Sequence, residues 1–238
     1  MLPIPHEAQE RPDGCAAAAL CMAYRSLGLD CSQSELWPRV TAPVRGERRG
    51  KTHLVCRDAL ERGLSAVVVR PASPWGTLRE CVRSSVRVIL HHRLSPAEPS
   101  GHYSVLVGLD DSSLVVNDPL HGPARAFRRD EFLALWSPSR HGREVVGHVL
   151  VALSDRSGNS RCSYCHSECP ESIDCAVCNS PIRLRPVAVV GCLEPACRGR
   201  RFEGVYCPAC DVNAWWLQTT GRGHGRHRGT GCADNPAD

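Results

Sequence analysis

The stretch GHYSVLVGLDDSSLVVNDP, residues 101–119, is the most informative part of this 238-residue sequence. A histidine opens an apolar run that ends at Leu109, a polar turn follows, and a second apolar run ends at Asp118. This pattern predicts a β-hairpin with its turn near Asp111. Because the two strands of a hairpin pair side by side, Asp118 is expected close to His102, where a carboxylate is able to orient an imidazole.

The register of this hairpin decides which side chain faces the histidine. Asn117 and Asp118 point to opposite faces, since successive side chains of a strand alternate. Only one of the two can therefore serve as the orienting acceptor. The sequence leaves that choice open by one residue of register.

A second informative stretch is CAAAALCMAYRSL, residues 15–27, which is rich in alanine and favours a helix. Asp13 offers an N-cap and Gly28 a C-terminal stop. Cys15 is therefore expected at the start of a helix, where a thiolate is favoured and acts as a nucleophile. The amide of Gln9, six residues upstream, is placed to stabilise an oxyanion together with the backbone N–H of Cys15.

The remaining patterns predict an α+β layout, with helices first and an antiparallel sheet after them. Further helices are predicted over residues 52–62, 75–83 and 130–136. Strands are predicted over residues 65–70, 86–91, 102–109, 113–117 and 145–153. Together they form one domain over residues 1–153.

The composition indicates a soluble globular protein, with 42% hydrophobic and 23% charged residues. A net charge of +4 neither demands nor excludes an acidic partner. No signal-like segment and no apolar run of about 18 residues is found, so no membrane span and a cytoplasmic location are expected. In a reducing compartment, the 15 cysteines favour metal binding and catalysis over disulfides.

The cysteines divide the chain unevenly, since ten of them follow residue 160. Residues 154–160 are polar and predict a linker. Residues 161–217 predict a small zinc-ribbon-like, zinc-binding domain, and the Gly/Arg/His-rich residues 218–238 predict a disordered tail. Trp215 and Trp216 are expected to pack against the zinc layer.

Eight cysteines in four pairs are the candidate ligands of two structural zinc ions, because a tight C-x-x-C turn lets two thiolates reach one tetrahedral ion. They are Cys162, Cys165, Cys175, Cys178, Cys192, Cys197, Cys207 and Cys210. Neighbouring pairs sharing an ion would form a duplicated knuckle. Pairs one and three, and two and four, sharing an ion would form a cross-braced module. His166 or Cys169 is able to replace a ligand of the first site.

The residues around Cys15 and His102 resemble the bacteriocin-processing, or double-glycine, branch of the papain-like cysteine peptidases. That family has a glutamine six residues before a helix-opening cysteine, as in Gln9 and Cys15. A Gly-His pair opens an apolar strand that ends in glycine, as in residues 101–108, and Asp118-Pro119 matches its Asp-Pro. The resemblance covers roughly residues 3–153, including a short helix near residues 127–136.

The resemblance implies a papain-like fold in which Cys15 is the nucleophile, His102 the general base, Asp118 the orienting carboxylate and Gln9 the oxyanion donor. It also implies cleavage of a protein or leader-peptide substrate, with a preference for Gly-Gly. Where the family has Asp-Cys-Gly, this chain has Asp13-Gly14-Cys15-Ala16.

Two alternatives remain open at this point. The same triad is suited to acyl transfer to an amine or thiol. The displaced Gly14 also permits an inactive peptide-binding adaptor, with the zinc module binding a protein partner. Nucleic acid is less favoured, because few basic and aromatic residues alternate there. The other N-terminal cysteines and histidines of interest are interpreted as core residues, namely Cys21, Cys31, Cys56, Cys81, His91 and His92.

Overall fold

The computed structural model describes residues 1–97, 100–138, 145, 147–156 and 158–214. Within them the helices are α1 (Cys15–Ser26), α2 (Gln33–Val40), α3 (Thr52–Glu61), α4 (Pro74–Arg83), α5 (Arg129–Trp136) and α6 (Val187–Val190). The strands are β1 (Thr41–Val44), β2 (Glu47–Gly50), β3 (Ser65–Pro71), β4 (Arg87–Arg93), β5 (Gly101–Leu109), β6 (Ser113–Asp118), β7 (Gly122–Arg128), β8 (Leu150–Ser154), β9 (Ser172–Asp174), β10 (Pro181–Arg183) and β11 (Phe202–Tyr206).

A seven-stranded antiparallel sheet forms the centre of the molecule, in the order β11-β3-β8-β4-β5-β6-β7. The strands from β4 to β7 follow one another as hairpins, and the hairpin of β5 and β6 is the one that the sequence predicts. The late strand β8 inserts between β3 and β4. The predicted α+β class, with helices before an antiparallel sheet, is confirmed.

Both faces of the sheet are buried, so its central strands carry apolar side chains on both faces. Ile89 packs in the core with α1, α2 and α3, whereas its neighbours Val88 and Leu90 pack in the core with α4, α5 and α6. This alternation follows from the two-residue repeat of a strand. The small side chains of α1, from Ala16 to Ala19, are fully or almost fully buried and allow that helix to approach the sheet closely.

Several elements differ from the sequence prediction. The N-cap of α1 is Gly14 and not Asp13, and it provides no capping side chain. Strand β8 begins at Leu150, five residues after the predicted start, although Val145 and Val149 are buried. Elements α2, β1, β2 and β7 had not been predicted.

The start of α2 has a clear physical cause. The hydroxyl of Ser32 accepts a hydrogen bond from the backbone N–H of Glu35, at 3.2 Å. A side-chain acceptor in this position satisfies an N–H that has no partner within the helix. The Ser-x-x-Glu pattern is a known signal of a helix start. It was present in the sequence and would have predicted α2.

The cysteine-rich segment shares the sheet and the core of the preceding residues. Strand β11 pairs with β3, and Val205 lies opposite Val69. Phe202, Val189 and Ile182 lie in the same apolar cluster as α4 and α5. A contact between His53 Nδ1 and Asp211 Oδ2, at 3.2 Å, joins the start of α3 to the same segment. The predicted tail and Trp215-Trp216 lie outside the described residues.

No helix among the described residues combines the length and the apolar character that crossing a membrane requires.

Candidate active site and metal centres

The hairpin β5–β6 brings His102 and Asp118 together. His102 Nε2 lies 2.7 Å from Asp118 Oδ1, and both residues are buried. Asn117 faces the other way, since its amide donates to the carbonyl of Ile4 and its Oδ1 accepts from the N–H of Ala124. The choice that the sequence left open therefore falls on Asp118 as the neighbour of His102.

Asp118 is held by several donors besides His102. The backbone N–H groups of Leu120 and His121 donate to Oδ1, at 3.0 and 3.2 Å. Arg125 donates to Oδ2 at 2.9 Å, and the ring of His121 contacts the same oxygen at 3.1 Å. Burial opposes the charge of Asp118, but these hydrogen bonds, above all that of His102, hold the pKa of Asp118 well below its usual range.

Cys15 is the first residue of α1 and is half-buried. Because Nε2 of His102 faces Asp118, Nδ1 is the ring nitrogen left for the thiol. Burial opposes the charge of His102, but hydrogen bonds with Asp118 and Cys15 outweigh it and raise the pKa of His102 to about 9. The imidazole therefore lies between a carboxylate and a thiol, and a proton that it takes from the thiol is stabilised there.

The Gly14 that precedes the cysteine has a steric reason. A side chain at this position would meet Arg11, with its Cγ at 2.9 Å and its carbonyl oxygen at 3.0 Å. The N–H of Gly14 donates to that carbonyl and closes a tight turn before α1. The tight turn therefore favours glycine one residue before Cys15, and no capping side chain covers the first N–H groups of the helix.

Gln9 lies on the loop before α1, and its backbone N–H donates to the carbonyl of Pro119 at 2.9 Å. This bond ties the loop to the residue after Asp118. The side-chain Nε2 of Gln9 donates to the carbonyls of Arg11 and Pro12, at 3.0 and 2.9 Å. Both amide hydrogens are occupied in this arrangement, so the role of Gln9 at an oxyanion stays a prediction.

Gln33, on α2, was missed by the sequence interpretation. It is 5% exposed and holds the loop that contains Gln9. Its Nε2 donates to the carbonyl of Ala8 at 2.8 Å, and its Oε1 accepts from the N–H of Glu10 at 3.0 Å. These two bonds hold the backbone on either side of Gln9. No sequence pattern points to this role.

Two further histidines flank the site in neutral form. His92 contacts the hydroxyl of Ser104 at 3.0 Å, and burial and the charge of His102 lower its pKa to about 3. His91 stacks on Tyr103 with ring centroids 4.5 Å apart. Burial and the charge of His102 lower the pKa of His91 to about 4. Both rings therefore contribute packing beside His102 without a competing charge.

The eight paired cysteines form two clusters, and within each cluster the sulfur atoms lie within 4.8 Å of one another. One contains Cys162, Cys165, Cys192 and Cys197, and the other contains Cys175, Cys178, Cys207 and Cys210. The first pair along the chain thus shares a cluster with the third pair, and the second pair shares a cluster with the fourth. This is the cross-braced arrangement and not the duplicated knuckle. His166 and Cys169 belong to neither cluster.

The clusters fit a tetrahedral metal ion. Sulfur–sulfur distances are 3.7 and 3.5 Å in the first cluster and 3.7 and 3.6 Å in the second. Four thiolates around zinc, at about 2.3 Å each, stand about 3.8 Å apart. Backbone N–H groups donate to Cys162, Cys197 and Cys207 at 3.3 to 3.4 Å, as thiolate ligands require. Both clusters are therefore suited to bind a metal ion.

Comparisons with solved structures show the same fold over about two thirds of the chain. A protein from Bacillus anthracis, described as a candidate C39-like peptidase, is 17% identical with a TM-score of 0.53; the match covers 66% of this chain and 98% of that one. The peptidase domain of Streptococcus ComA, a bifunctional ABC transporter of a quorum-sensing pathway, is 15% identical with a TM-score of 0.50, covering 63% and 97%.

A third structure is that of a double-glycine-motif protease from an AMS/PCAT transporter in complex with its leader peptide. It is 19% identical with a TM-score of 0.46, covering 64% of this chain and 92% of that one. No curated protein matches the chain significantly. The model of the Peptidase_C39 like family matches residues 1–142, which is more than half of the sequence. The chain belongs to the Peptidase_C39-like family.

Proposed function

We propose that the chain is a cysteine peptidase that cleaves a peptide bond of a protein or leader-peptide substrate. The observation that supports this most directly is the position of His102, between Asp118 at 2.7 Å and the thiol of Cys15 at the start of α1. A nucleophile, a base and an orienting carboxylate in this order are the parts that acyl transfer to water needs.

In the proposed reaction, His102 takes the proton of the Cys15 thiol as the general base, and Sγ attacks the carbonyl carbon of the substrate. The imidazolium of His102 then gives its proton to the departing amine, and a thioester remains on Cys15. Water attacks the thioester while His102 takes its proton, and the free acid leaves. Asp118 stabilises the imidazolium in both steps and keeps its ring oriented.

The backbone N–H of Cys15 is proposed as one donor to the oxyanion, because N–H groups in the first turn of a helix have no partner within that helix. Gln9 is proposed as the second donor. It must release one of the two carbonyls, of Arg11 or Pro12, to which its amide is now bonded. The oxyanion of the bound substrate is the competing acceptor for that amide hydrogen.

Substrates with small residues before the cleaved bond, such as Gly-Gly, are proposed from the family relationship. The clusters of four cysteines are proposed to hold one zinc ion each. Four thiolates close the coordination of zinc, so each ion has a structural role and no position for substrate. The cysteine-rich segment is proposed to recruit the substrate or a protein partner.

The first test is intact-mass labelling with limiting iodoacetamide at pH 6, where an ordinary thiol with a pKa of about 8.5 reacts slowly. One fast adduct is expected on the wild-type protein. It should be lost in Cys15→Ala and slowed in His102→Ala, while Cys81→Ala, which removes a fully buried thiol, keeps it. Equal labelling of the wild type and Cys15→Ala would contradict the proposal.

Hydrolysis is then tested with a Gly-Gly aminocoumarin amide, with and without added amines. Free acid as the product supports the peptidase, and an amide product supports acyl transfer. A reactive Cys15 that turns over neither this substrate nor a small-residue peptide library would favour the adaptor.

A further inference from the structure

Two cysteines outside the candidate active site are in direct contact. Cys21 lies on α1 and Cys31 just before α2, and their sulfur atoms are 2.8 Å apart. Two sulfur atoms that merely pack together stay farther apart than this. Cys21 is fully buried, and 7% of Cys31 is exposed. The pair is therefore close enough for a bond and open to a small molecule only through Cys31.

Charged neighbours surround Cys31. Arg25 donates to its carbonyl oxygen at 3.2 Å and also pairs with Glu7 at 2.5 Å. The hydrogen bond from Cys21 lowers the pKa of Cys31; burial and Glu7 oppose this effect, and Arg25 assists it. The thiolate is the form of cysteine that reacts with an oxidant. Cys31 is thus the cysteine of the pair that an oxidant is able to reach and whose thiolate form is favoured.

We propose that Cys21 and Cys31 form a reversible intramolecular disulfide when the protein meets hydrogen peroxide. Cys31 Sγ attacks one peroxide oxygen and becomes a sulfenic acid, while hydroxide leaves. Cys21 Sγ then attacks the sulfur of Cys31 and expels a second hydroxide. The two thiol protons convert both hydroxides to water, so two thiols and one peroxide give one disulfide and two waters. A dithiol reductant restores the pair.

The bond would fasten α1 to the start of α2. Cys31 precedes Ser32, the N-cap of α2, and Gln33, which holds the loop on both sides of Gln9. Cys15 lies six residues before Cys21, about 9 Å away along the helix axis. The disulfide is thus a staple of the loop before the active site and leaves the hydrogen bond between His102 and Asp118 intact.

The test uses full-length, metal-loaded Cys15→Ser protein, so that Cys15 does not consume peroxide. Native protein is treated with one to a few equivalents of peroxide, quenched with catalase, alkylated in acid and digested with trypsin. Because Pro12 prevents cleavage after Arg11, trypsin releases residues 1–25 and 26–39. In this variant each peptide carries one cysteine, Cys21 or Cys31.

The expected result is a single cross-linked species of these two peptides, which dithiothreitol separates. The midpoint of thermal unfolding should rise by about 5 °C on oxidation, as expected for closing a short loop. Adding Cys21→Ser or Cys31→Ser should abolish both effects, whereas adding Cys81→Ala should keep them.

Recovery of both peptides alkylated, or of Cys31 as sulfinic acid, would overturn the proposal. Cross-linking without a rise in the unfolding midpoint would contradict the claim that the disulfide stabilises the connection between α1 and α2. Both readouts are made in the Cys15→Ser protein itself, so they remain decisive if a second substitution prevents folding.

Discussion

Asp118 accepts hydrogen bonds from a side chain of β5, from its own turn and from Arg125 on β7. A carboxylate fixed in this way cannot rotate away from His102 without losing several bonds at once. Hydrogen bonds to a charged group contribute about 1.5–3 kcal/mol each. The orientation of the imidazole is therefore set by the fold of the whole hairpin and not by one contact.

Asp118→Asn is expected to lower kcat/KM by about 10²- to 10⁴-fold, because the amide no longer stabilises the imidazolium. It should also lower the pKa of His102 from about 9, so the alkaline limb of the rate profile moves to lower pH. The measurement is kcat/KM between pH 5 and 10. Asp111→Asn, an exposed carboxylate of the same hairpin, is the matched control. If the alkaline limb stays at the same pH in Asp118→Asn, Asp118 does not stabilise the imidazolium of His102.

The same shift affects stability. The pKa of His102 rises from 6.5 when unfolded to about 9 when folded, so the folded state binds the proton more tightly. Its stabilising contribution is fully present below pH 6.5 and is lost as the pH rises through about 9.

Single residues differ in how far the sequence predicts them. Cys15 and His102 are predictable because a helix start and a short hairpin fix them locally, and the same hairpin limits the acceptor to Asn117 or Asp118. The contact of Cys21 with Cys31 is not, since it depends on how the chain folds back between α1 and α2. Gln33 is missed for the same reason, because its partners lie over 20 residues away.

At the scale of elements, the cross-braced pairing of the cysteines ties distant turns together. Each cysteine cluster joins a C-x-x-C turn to a cysteine pair about 30 residues later. The sequence allowed two pairings, because equal spacings of nine residues separate the pairs in both halves. The spacing of the cysteine pairs in the sequence is the same for both pairings, so only the folded structure shows which pairs lie close together.

Zinc content distinguishes the two pairings. Cys165→Ser with Cys192→Ser removes two ligands of one site and should leave about one zinc per chain. Cys165→Ser with Cys178→Ser removes one ligand from each site and should leave much less than one. Mass spectrometry under native conditions measures both. The duplicated knuckle predicts the opposite order, so reversed values would contradict the cross-brace.

For the whole molecule, the decisive feature is that β11 extends the sheet. The pairing of β11 with β3 joins residues more than 130 positions apart. Local sequence patterns do not predict a pairing between strands so far apart. The higher cysteine content after residue 160, in contrast, is visible in the sequence and marks the start of the cysteine-rich segment. The sequence therefore predicts the cysteine-rich segment and its ligands but not its place beside β3.

Metal removal is expected to act at a distance. Chelation should release two zinc ions, lower the unfolding midpoint and unpair β11, because thiolate clusters supply much of the folding free energy of such segments. Amide hydrogen exchange should then accelerate in β3, while β6, four strands away, stays protected. Equal changes in β3 and β6, or none in β3, would contradict the coupling.

The position of β11 has a consequence for biosynthesis. The sheet gains its last strand only after the 52 residues from 155 to 206 have been added, which takes a ribosome about 3 to 10 s. During that interval β3 is an open edge on the nascent chain, and open edges pair readily with other strands. Each cysteine cluster also needs a pair that is synthesised long after β8, Cys192 and Cys197 in one and Cys207 and Cys210 in the other. Synthesis of β11 and binding of metal by the cysteine clusters are thus late steps, and until then the C39-like residues before them are exposed to misassembly and to chaperones.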